Sequence, residues 1–127
     1  MEYEFIDVQS SDHITTVTIN RPERMNALHP YANIEMDKAF DEFEADPDAW
    51  VAIVTGAGDR FFCTGGDVKR YALIETKDQL RDMMRLASTV FKRFEALPVP
   101  VIAAINGYAI GGGVELLLGA DIRVAAA

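Results

Sequence analysis

Residues 106–116 read Asn-Gly-Tyr-Ala-Ile-Gly-Gly-Gly-Val-Glu-Leu and place three consecutive glycines between two apolar runs. The preceding run, 100–105, predicts a buried strand, and the following run, 114–118, predicts a helix. The glycines therefore stand at a helix N-terminus, where backbone N–H groups lack intrahelical partners and a ligand can approach the chain closely. Glu115 follows Gly112 by three residues, so its carboxylate is expected on the same face as the Gly112 amide. The stretch predicts an anion-stabilising amide beside a candidate general base.

Strand and helix patterns alternate along the rest of the chain and predict one α/β domain over residues 1–127. The predicted strands cover residues 3–8, 13–20, 50–55, 100–105 and 121–125, the first two joined by a turn at 9–12. The predicted helices cover residues 29–45, 67–71, 77–96 and 114–118, and residues 61–66 are expected to form a loop. Such alternation implies parallel strand pairing with crossover helices.

Composition excludes several classes of partner. The net charge of −8 argues against nucleic acid and against anionic membrane surfaces. No apolar run is long enough to span a bilayer. Cys63 is the only cysteine, so no intrachain disulfide can form and a reducing compartment is expected. We expect a cytoplasmic protein, with an organelle or matrix left open.

The glycine-rich junction has rival interpretations. Its spacing does not fit the dinucleotide fingerprint, and Val114-Glu115 stands where a P-loop needs Lys-Ser/Thr. Tight helix–strand packing would also require glycine, without any chemistry. A second glycine junction, residues 62–67, follows a strand pattern and precedes a short helix. Because α/β folds bind ligands where strands end, two such turns favour a pair of N–H groups aimed at one oxygen, an oxyanion hole.

Four segments together resemble the crotonase superfamily, also called the enoyl-CoA hydratase/isomerase family. They are residues 19–28 (Ile-Asn-Arg-Pro-Glu-Arg-Met-Asn-Ala-Leu), 62–67 (Phe-Cys-Thr-Gly-Gly-Asp), 106–115 and 120–122. The resemblance covers nearly the whole chain, in the family's order and spacing. It implies a fold of stacked ββα turns that matches the N-terminal part of the family, and an acyl-CoA thioester as ligand.

The resemblance also assigns roles to individual residues. Gly66 and Gly112 are expected to supply the oxyanion-hole amides, and Glu115 matches the first of two acidic residues that hydratases use. The positions that match the family's contacts to coenzyme A are Arg24, Met25, Thr64, Gly65, Gly66 and Lys69. For Lys69, a solvated helix lysine is an equally open interpretation. No metal is expected, and no cofactor other than coenzyme A as part of the substrate.

The implied reaction is reversible hydration or dehydration of a 2-enoyl-CoA, or isomerisation of an enoyl-CoA double bond. The family's second glutamate and the helical region with which members form trimers or hexamers would lie beyond Ala127. We therefore expect a truncated chain that is poorly active alone as a hydratase, although its family forms homo-oligomers. The alternative from another class is a non-catalytic fragment or scaffold that keeps part of a coenzyme A-binding surface.

Four other residues are expected to have structural roles. No metal-binding spacing or nucleophile–base pattern surrounds His13 or His29, and His29 is expected at the surface or as a helix cap. A nucleophilic thiolate at Cys63 would need a cationic neighbour or a base, so we interpret Cys63 as a small filler of the loop. Asp67 is expected to cap a helix.

Overall fold

The computed structural model describes residues 2–127 and begins with a ββα unit. Strand β1 (Ile6–Ser11) and strand β2 (Ile14–Ile19) form an antiparallel hairpin. A 3₁₀ turn at Pro22–Arg24 follows, and helix α1 spans Pro30–Ala45. The His29 side chain accepts a hydrogen bond from the Tyr31 N–H and caps α1, as expected.

The second part of the chain carries two strands and two helices. Strand β3 (Val51–Gly56) leads to a short strand β4 (Phe61–Cys63), and helix α2 (Val68–Tyr71) follows. Helix α3 spans Lys77–Ala96 and begins with a capping box, in which Thr76 and Gln79 bond each other's backbone N–H groups. The last part contains β5 (Val101–Ile105), β6 (Tyr108–Ala109), α4 (Gly112–Leu118) and β7 (Ile122–Ala125).

The strands form one five-stranded sheet and one two-stranded sheet. The large sheet has the order β1-β2-β3-β5-β7, and all of its pairs except β1–β2 are parallel. The small sheet pairs β4 with β6 in parallel. Parallel neighbours joined through helices confirm the predicted α/β class.

The core lies between the large sheet and the helices α1 and α3. Arg93 of α3 donates hydrogen bonds to the carboxylates of Asp37, Asp41 and Glu44, so an ion network also joins the two helices. The largest side chains that are fully withdrawn from solvent are Phe40, Phe62, Phe94, Ile19, Met36 and Leu116. These residues come from both sheets and from three helices, so the core is shared by every layer.

Three sequence predictions of local structure were wrong. Residues 61–66 are not all loop, because Phe61–Cys63 pairs with a strand at Tyr108–Ala109 that is too short to give a periodic signal. The hairpin turn lies at Asp12 and His13, which both adopt positive φ, rather than at 9–12. Trp50 lies outside β3 with 58% of its surface exposed, because its indole stacks on the His13 ring at 3.7 Å instead of entering the core.

The side-chain amides of Asn26 and Asn106 connect their own loops to the segment that leads into β4. Asn26 is fully buried, accepts a hydrogen bond from the Arg21 N–H, and donates to the Ala57 and Phe61 carbonyls. Asn106 also donates to the Phe61 carbonyl and accepts from the Gly56 N–H. Because both amides converge on Phe61, three distant segments of the chain are held at the start of β4.

The Asn26→Ala variant tests how much this junction stabilises the fold. We expect it to lose about 2–4 kcal/mol in the free energy of unfolding, because the Arg21 N–H and the Ala57 carbonyl lose their partner and the Phe61 carbonyl keeps only Asn106. Urea denaturation followed by circular dichroism measures the change. Asn20→Ala, at an exposed position, is the control and should change stability little. A loss in Asn26→Ala no larger than in the control would contradict the role of the amide.

Candidate active site

Pairing of β4 with β6 brings the two glycine-rich turns together. Phe61 lies opposite Tyr108, and Cys63 lies opposite Ala109. The Ile110 N–H then donates to the Cys63 carbonyl at 3.0 Å, so the chains remain side by side beyond the strands. The segments that leave these strands, 64–67 and 110–113, therefore start from neighbouring points.

The glycines of the two turns are in direct contact. A Cβ added to Gly112 would lie 3.4 Å from Cα of Gly65 and 3.7 Å from the nitrogen of Gly66. Since that Cβ is two bonds from its own nitrogen, the amide nitrogens of Gly66 and Gly112 lie within about 7 Å of each other. At Gly65, φ is +91°, and an added Cβ would lie 2.9 Å from the Gly112 nitrogen. A side chain at Gly65 would thus be strained and would enter the space between the turns.

Both amides lack a backbone acceptor among residues 2–127. The Leu28 N–H donates to the Gly65 carbonyl, and the Asp67 N–H donates to the Leu28 carbonyl. Neither of these two hydrogen bonds uses the N–H of Gly66, which lies between them in the chain. Gly112 is the first residue of α4, so its N–H has no intrahelical partner. Two neighbouring N–H groups thus have no backbone acceptor in the described part of the chain.

Gly66, Gly112 and Glu115 line one cavity of about 130 Å³. Its apolar wall consists of Leu28, Pro30, Met83, Met84, Ala87 and Phe91. Its other polar residues are Asn33, Asp67, Arg70 and Tyr71. The structure thus brings the three predicted catalytic residues to one place, in a cavity with an apolar wall. Such a mixture of an apolar wall and a few polar groups is typical of small-molecule sites.

Glu115 lies in the first turn of α4, where its N–H donates to the Gly111 carbonyl at 3.1 Å. The residue is exposed, and it lines both the cavity and an adjacent open depression between α3 and α4. Solvent can therefore reach this carboxylate. A carboxylate in this position can accept a proton from a bound ligand or orient a water molecule.

Comparison with known proteins agrees with this arrangement. The family model described as enoyl-CoA hydratase/isomerase matches residues 9–127. The chain belongs to the enoyl-CoA hydratase/isomerase family. It is 38% identical over 120 residues to an (E)-benzylidenesuccinyl-CoA hydratase of Thauera aromatica, covering 94% of this chain and 46% of the relative. It is 39% identical to a short-chain-enoyl-CoA hydratase of Clostridium acetobutylicum, covering 98% of this chain and 48% of the relative.

Solved structures of the family have the same fold. The crystal structure of an enoyl-CoA hydratase from Bacillus anthracis superposes with a TM-score of 0.92 at 36% identity. The match covers 96% of this chain and 47% of that one. The predicted crotonase-like fold is therefore confirmed, and the chain spans about half the length of the curated relatives it matches.

The residues expected to contact coenzyme A differ in exposure: Thr64 and Gly66 are half-buried and Gly65 is buried. The Thr64 hydroxyl donates to the Met25 carbonyl at 3.0 Å, which joins these two predicted contacts. Met25 has φ of 55° and exposes 51% of its surface. Arg24 and Lys69 are both exposed. Apart from Gly66, none of these residues lines the cavity, so the other predicted contacts lie outside it.

Asp67 has the structural role that the sequence predicted, and it has a partner that the sequence did not reveal. Its Oδ1 accepts a hydrogen bond from the Lys69 N–H and caps α2. Its Oδ2 pairs with the buried guanidinium of Arg21 at 3.2 Å, and Arg21 also donates to the Ala27 carbonyl. Burial alone would raise the pKa of Asp67, but the hydrogen bond and charge of Arg21 and the N–H groups of α2 outweigh it and lower the pKa.

Nucleophilic catalysis by Cys63 is not indicated at this site. Burial raises the pKa of Cys63 to about 11, although a hydrogen bond from the Gly65 N–H opposes the shift. The thiol therefore stays protonated at neutral pH and is a poor nucleophile.

Within residues 2–127, no three His, Cys, Asp or Glu side chains lie close enough to hold a metal ion. Over the same residues, no helix is long and apolar enough to cross a membrane.

Sequence reasoning missed several residues of the cavity. The hydroxyl of Tyr71 lies directly against Gly66, where an added Cβ would overlap it. Asn33 and Arg70 also line the cavity. A signal for Asn33 was present, since it precedes Met36 by three residues and Phe40 by seven and so falls on the buried stripe of α1. No comparable pattern marks Tyr71, because α2 has only four residues.

The ion pair of Asp67 predicts a dependence of stability on pH. Because the pKa of Asp67 in the folded protein lies below its ordinary value of 3.8, the pair stabilises the fold above that pH. The contribution is lost as the pH falls through the lower, folded pKa. We expect Asp67→Asn to be less stable than the original protein at neutral pH, with the difference shrinking below pH 3.8.

Urea denaturation midpoints of both proteins over a pH series measure this difference. Asp59→Asn, at an exposed position, serves as the control for loss of one negative charge. A difference between Asp67→Asn and the original protein that stays constant at all pH values would contradict the assignment.

Proposed function

We propose that the protein that carries this chain binds an acyl-CoA thioester and adds water to, or removes it from, the acyl group. The observation that carries the proposal is that Glu115 lines one cavity together with Gly66 and Gly112, whose N–H groups have no backbone acceptor within residues 2–127. The two relatives described above are named as hydratases of CoA thioesters, which favours the same chemistry here. No further cofactor is part of the proposal.

In this proposal the N–H groups of Gly66 and Gly112 donate to the thioester carbonyl oxygen. Addition of water at Cβ passes through an enolate-like state, in which negative charge develops on that oxygen. Donors that are already fixed in place stabilise the charge where it forms, without the cost of reorganising solvent. Glu115 orients the water and transfers a proton.

Coenzyme A would lie along the exposed side of the glycine turns. The pantetheine follows Met25, Thr64 and Gly65, and it bonds mainly to the backbone. Arg24 and Lys69 are exposed cations, and in this proposal they offer positive charge to the phosphates in a chain of net charge −8. Local cations can attract a phosphate in spite of a distant net charge.

Isomerisation of an enoyl-CoA double bond is the second candidate, and one observation favours it. Of the two carboxylates that line the cavity within residues 2–127, Asp67 is paired with Arg21 and Glu115 makes no ion pair. A single carboxylate is sufficient to move a proton from Cα to Cγ or back. A 3-enoyl-CoA that gives its 2-enoyl isomer without the 3-hydroxyacyl product would select isomerisation over hydration.

We further propose that the working form is a homo-oligomer, a trimer or hexamer, in the cytoplasm. The proposal rests on the family resemblance and on no surface of this chain.

The Gly112→Ala variant tests the pair of amides. The added methyl would meet neighbours only at 3.4 Å or more, so the fold should be retained. The methyl would also lie 3.7 Å from the Gly66 nitrogen, beside the space that the thioester oxygen needs. Alanine keeps the Gly112 N–H, but its methyl would displace the thioester oxygen from it, so we expect turnover of a 2-enoyl-CoA to fall by up to about 10²–10³-fold, the loss seen when one oxyanion-hole donor is removed.

Thermal unfolding separates this effect from misfolding. Gly112→Ala should unfold within a few degrees of the original protein. Gly113→Ala is the contrast, because its Cβ would overlap the Cys63 carbonyl and should destabilise the fold. Full turnover in a folded Gly112→Ala variant would refute the oxyanion role.

The Glu115→Gln variant tests the proposed acid–base group. We expect kcat to fall about 10²–10⁴-fold, because the amide cannot accept or donate the proton, while coenzyme A thioester binding is retained. Steady-state kinetics and calorimetric binding measure the two quantities. Glu95→Gln changes the same charge in the depression next to Glu115, and it should leave both unchanged. Normal turnover in Glu115→Gln would exclude the role.

A further inference from the structure

Asn33 is a polar residue on the buried stripe of α1. Only 5% of its surface is exposed, and its Oδ1 is fully buried without a hydrogen-bond partner among residues 2–127. Of the side-chain atoms in that part of the chain, only the Tyr3 hydroxyl shares this condition. A buried acceptor without a partner destabilises the fold, whereas leucine would fill nearly the same volume with no polar atom. Because this unpaired oxygen lowers the stability of the fold at a cavity wall, we expect the ligand to bring its hydrogen-bond donor.

Asn33 lines the same cavity as Gly66, Gly112 and Glu115. The cavity has an apolar wall, which includes Leu28 and Phe91, and several polar residues besides Asn33. A carboxamide carries both donors and an acceptor, and a half turn about its last torsion exchanges them. Among these residues, Asn33 is the one whose buried side-chain oxygen has no hydrogen-bond partner within residues 2–127.

We propose that Asn33 binds a hydroxyl group on the acyl chain of the thioester, and so selects hydroxylated acyl groups over unsubstituted ones. The inference rests on the proposed function, since it assumes that the acyl group occupies this cavity. A hydroxyl can donate to Oδ1 once a half turn of the amide has exchanged the buried Oδ1 with Nδ2. A carboxylate has no proton for Oδ1 and would share the cavity with the Glu115 carboxylate. A quaternary ammonium group has no N–H or O–H, so it cannot donate a hydrogen bond to Oδ1 either.

Such a contact can discriminate strongly against an acyl group that lacks the hydroxyl. A site that must hydrogen-bond its ligand rejects the analogue without that group, because its own polar atom is then left buried and unpaired. We therefore expect at least a tenfold preference for the hydroxylated thioester, about 1.4 kcal/mol. Asn33→Leu should abolish this preference and bind the unsubstituted thioester as tightly as before, or more tightly.

Calorimetric binding of matched thioesters tests the inference. The probes are hexanoyl-CoA and its monohydroxylated analogues, one for each carbon from the β position outward. The measurements use the Glu115→Gln background, in which turnover is blocked. The expected result is a preference for at least one hydroxylated analogue that disappears in Asn33→Leu. Met83→Leu changes a different part of the same wall at similar volume, and it should keep the preference.

Each contrary outcome has a distinct meaning. Equal binding of hexanoyl-CoA and all its analogues, or a preference that survives Asn33→Leu, would overturn the role of Asn33 alone. The second result would mean that an internal water, not the ligand, pairs with the amide. Failure of every thioester to bind would overturn the proposed function as well. If Asn33→Leu does not fold, Asn33→Ala removes the same amide without filling its space, and the same comparison applies.

Discussion

The arrangement of the site depends on hydrogen bonds to the Phe61 carbonyl. Asn26 donates to it from the loop after β2, and Asn106 donates to it from the loop after β5. These two loops and β4 come from different parts of the chain, and each leads to one of the elements that form the cavity. The converging amides therefore connect the geometry of the glycine turns to the large sheet. A shift at either asparagine would move β4, and with it the turn that contains Gly66.

Charge around the cavity follows from a second buried contact. Arg21 neutralises Asp67 and also holds the Ala27 carbonyl, so one guanidinium fixes both the first loop and the start of α2. This pairing gives the two carboxylates of the cavity different environments. Asp67 is fixed, paired and mainly structural, whereas Glu115 is exposed to solvent. Of the two carboxylates that line the cavity, only Glu115 makes no ion pair within residues 2–127.

Much of the fold could be predicted from periodicity and from turn residues. The long helix at 77–96 coincides with α3, because its apolar stripe, its Thr76 cap and Pro98 leave few alternatives. Strands β4 and β6 could not be predicted, since three and two residues carry no period and their pairing depends on tertiary contacts. The placement of Trp50 failed for a related reason. Its ring pairs with His13 across the surface, and nothing in the local sequence encodes that contact.

The candidate site shows the same division between local and distant information. The sequence and the family resemblance pointed to Gly66, Gly112 and Glu115, and all three line the cavity. Neither predicted Asn33 or Tyr71, whose presence depends on how α1 and α2 pack. The groups that sequence could foresee here are largely main-chain N–H groups, which every amino acid except proline possesses. A substitution keeps the N–H group itself, although a side chain at Gly65 or Gly112 would fill the space beside it, whereas the walls contributed by α1 and α3 can change one residue at a time. In such an architecture, ligand preference can evolve rapidly around an unchanging peptide frame.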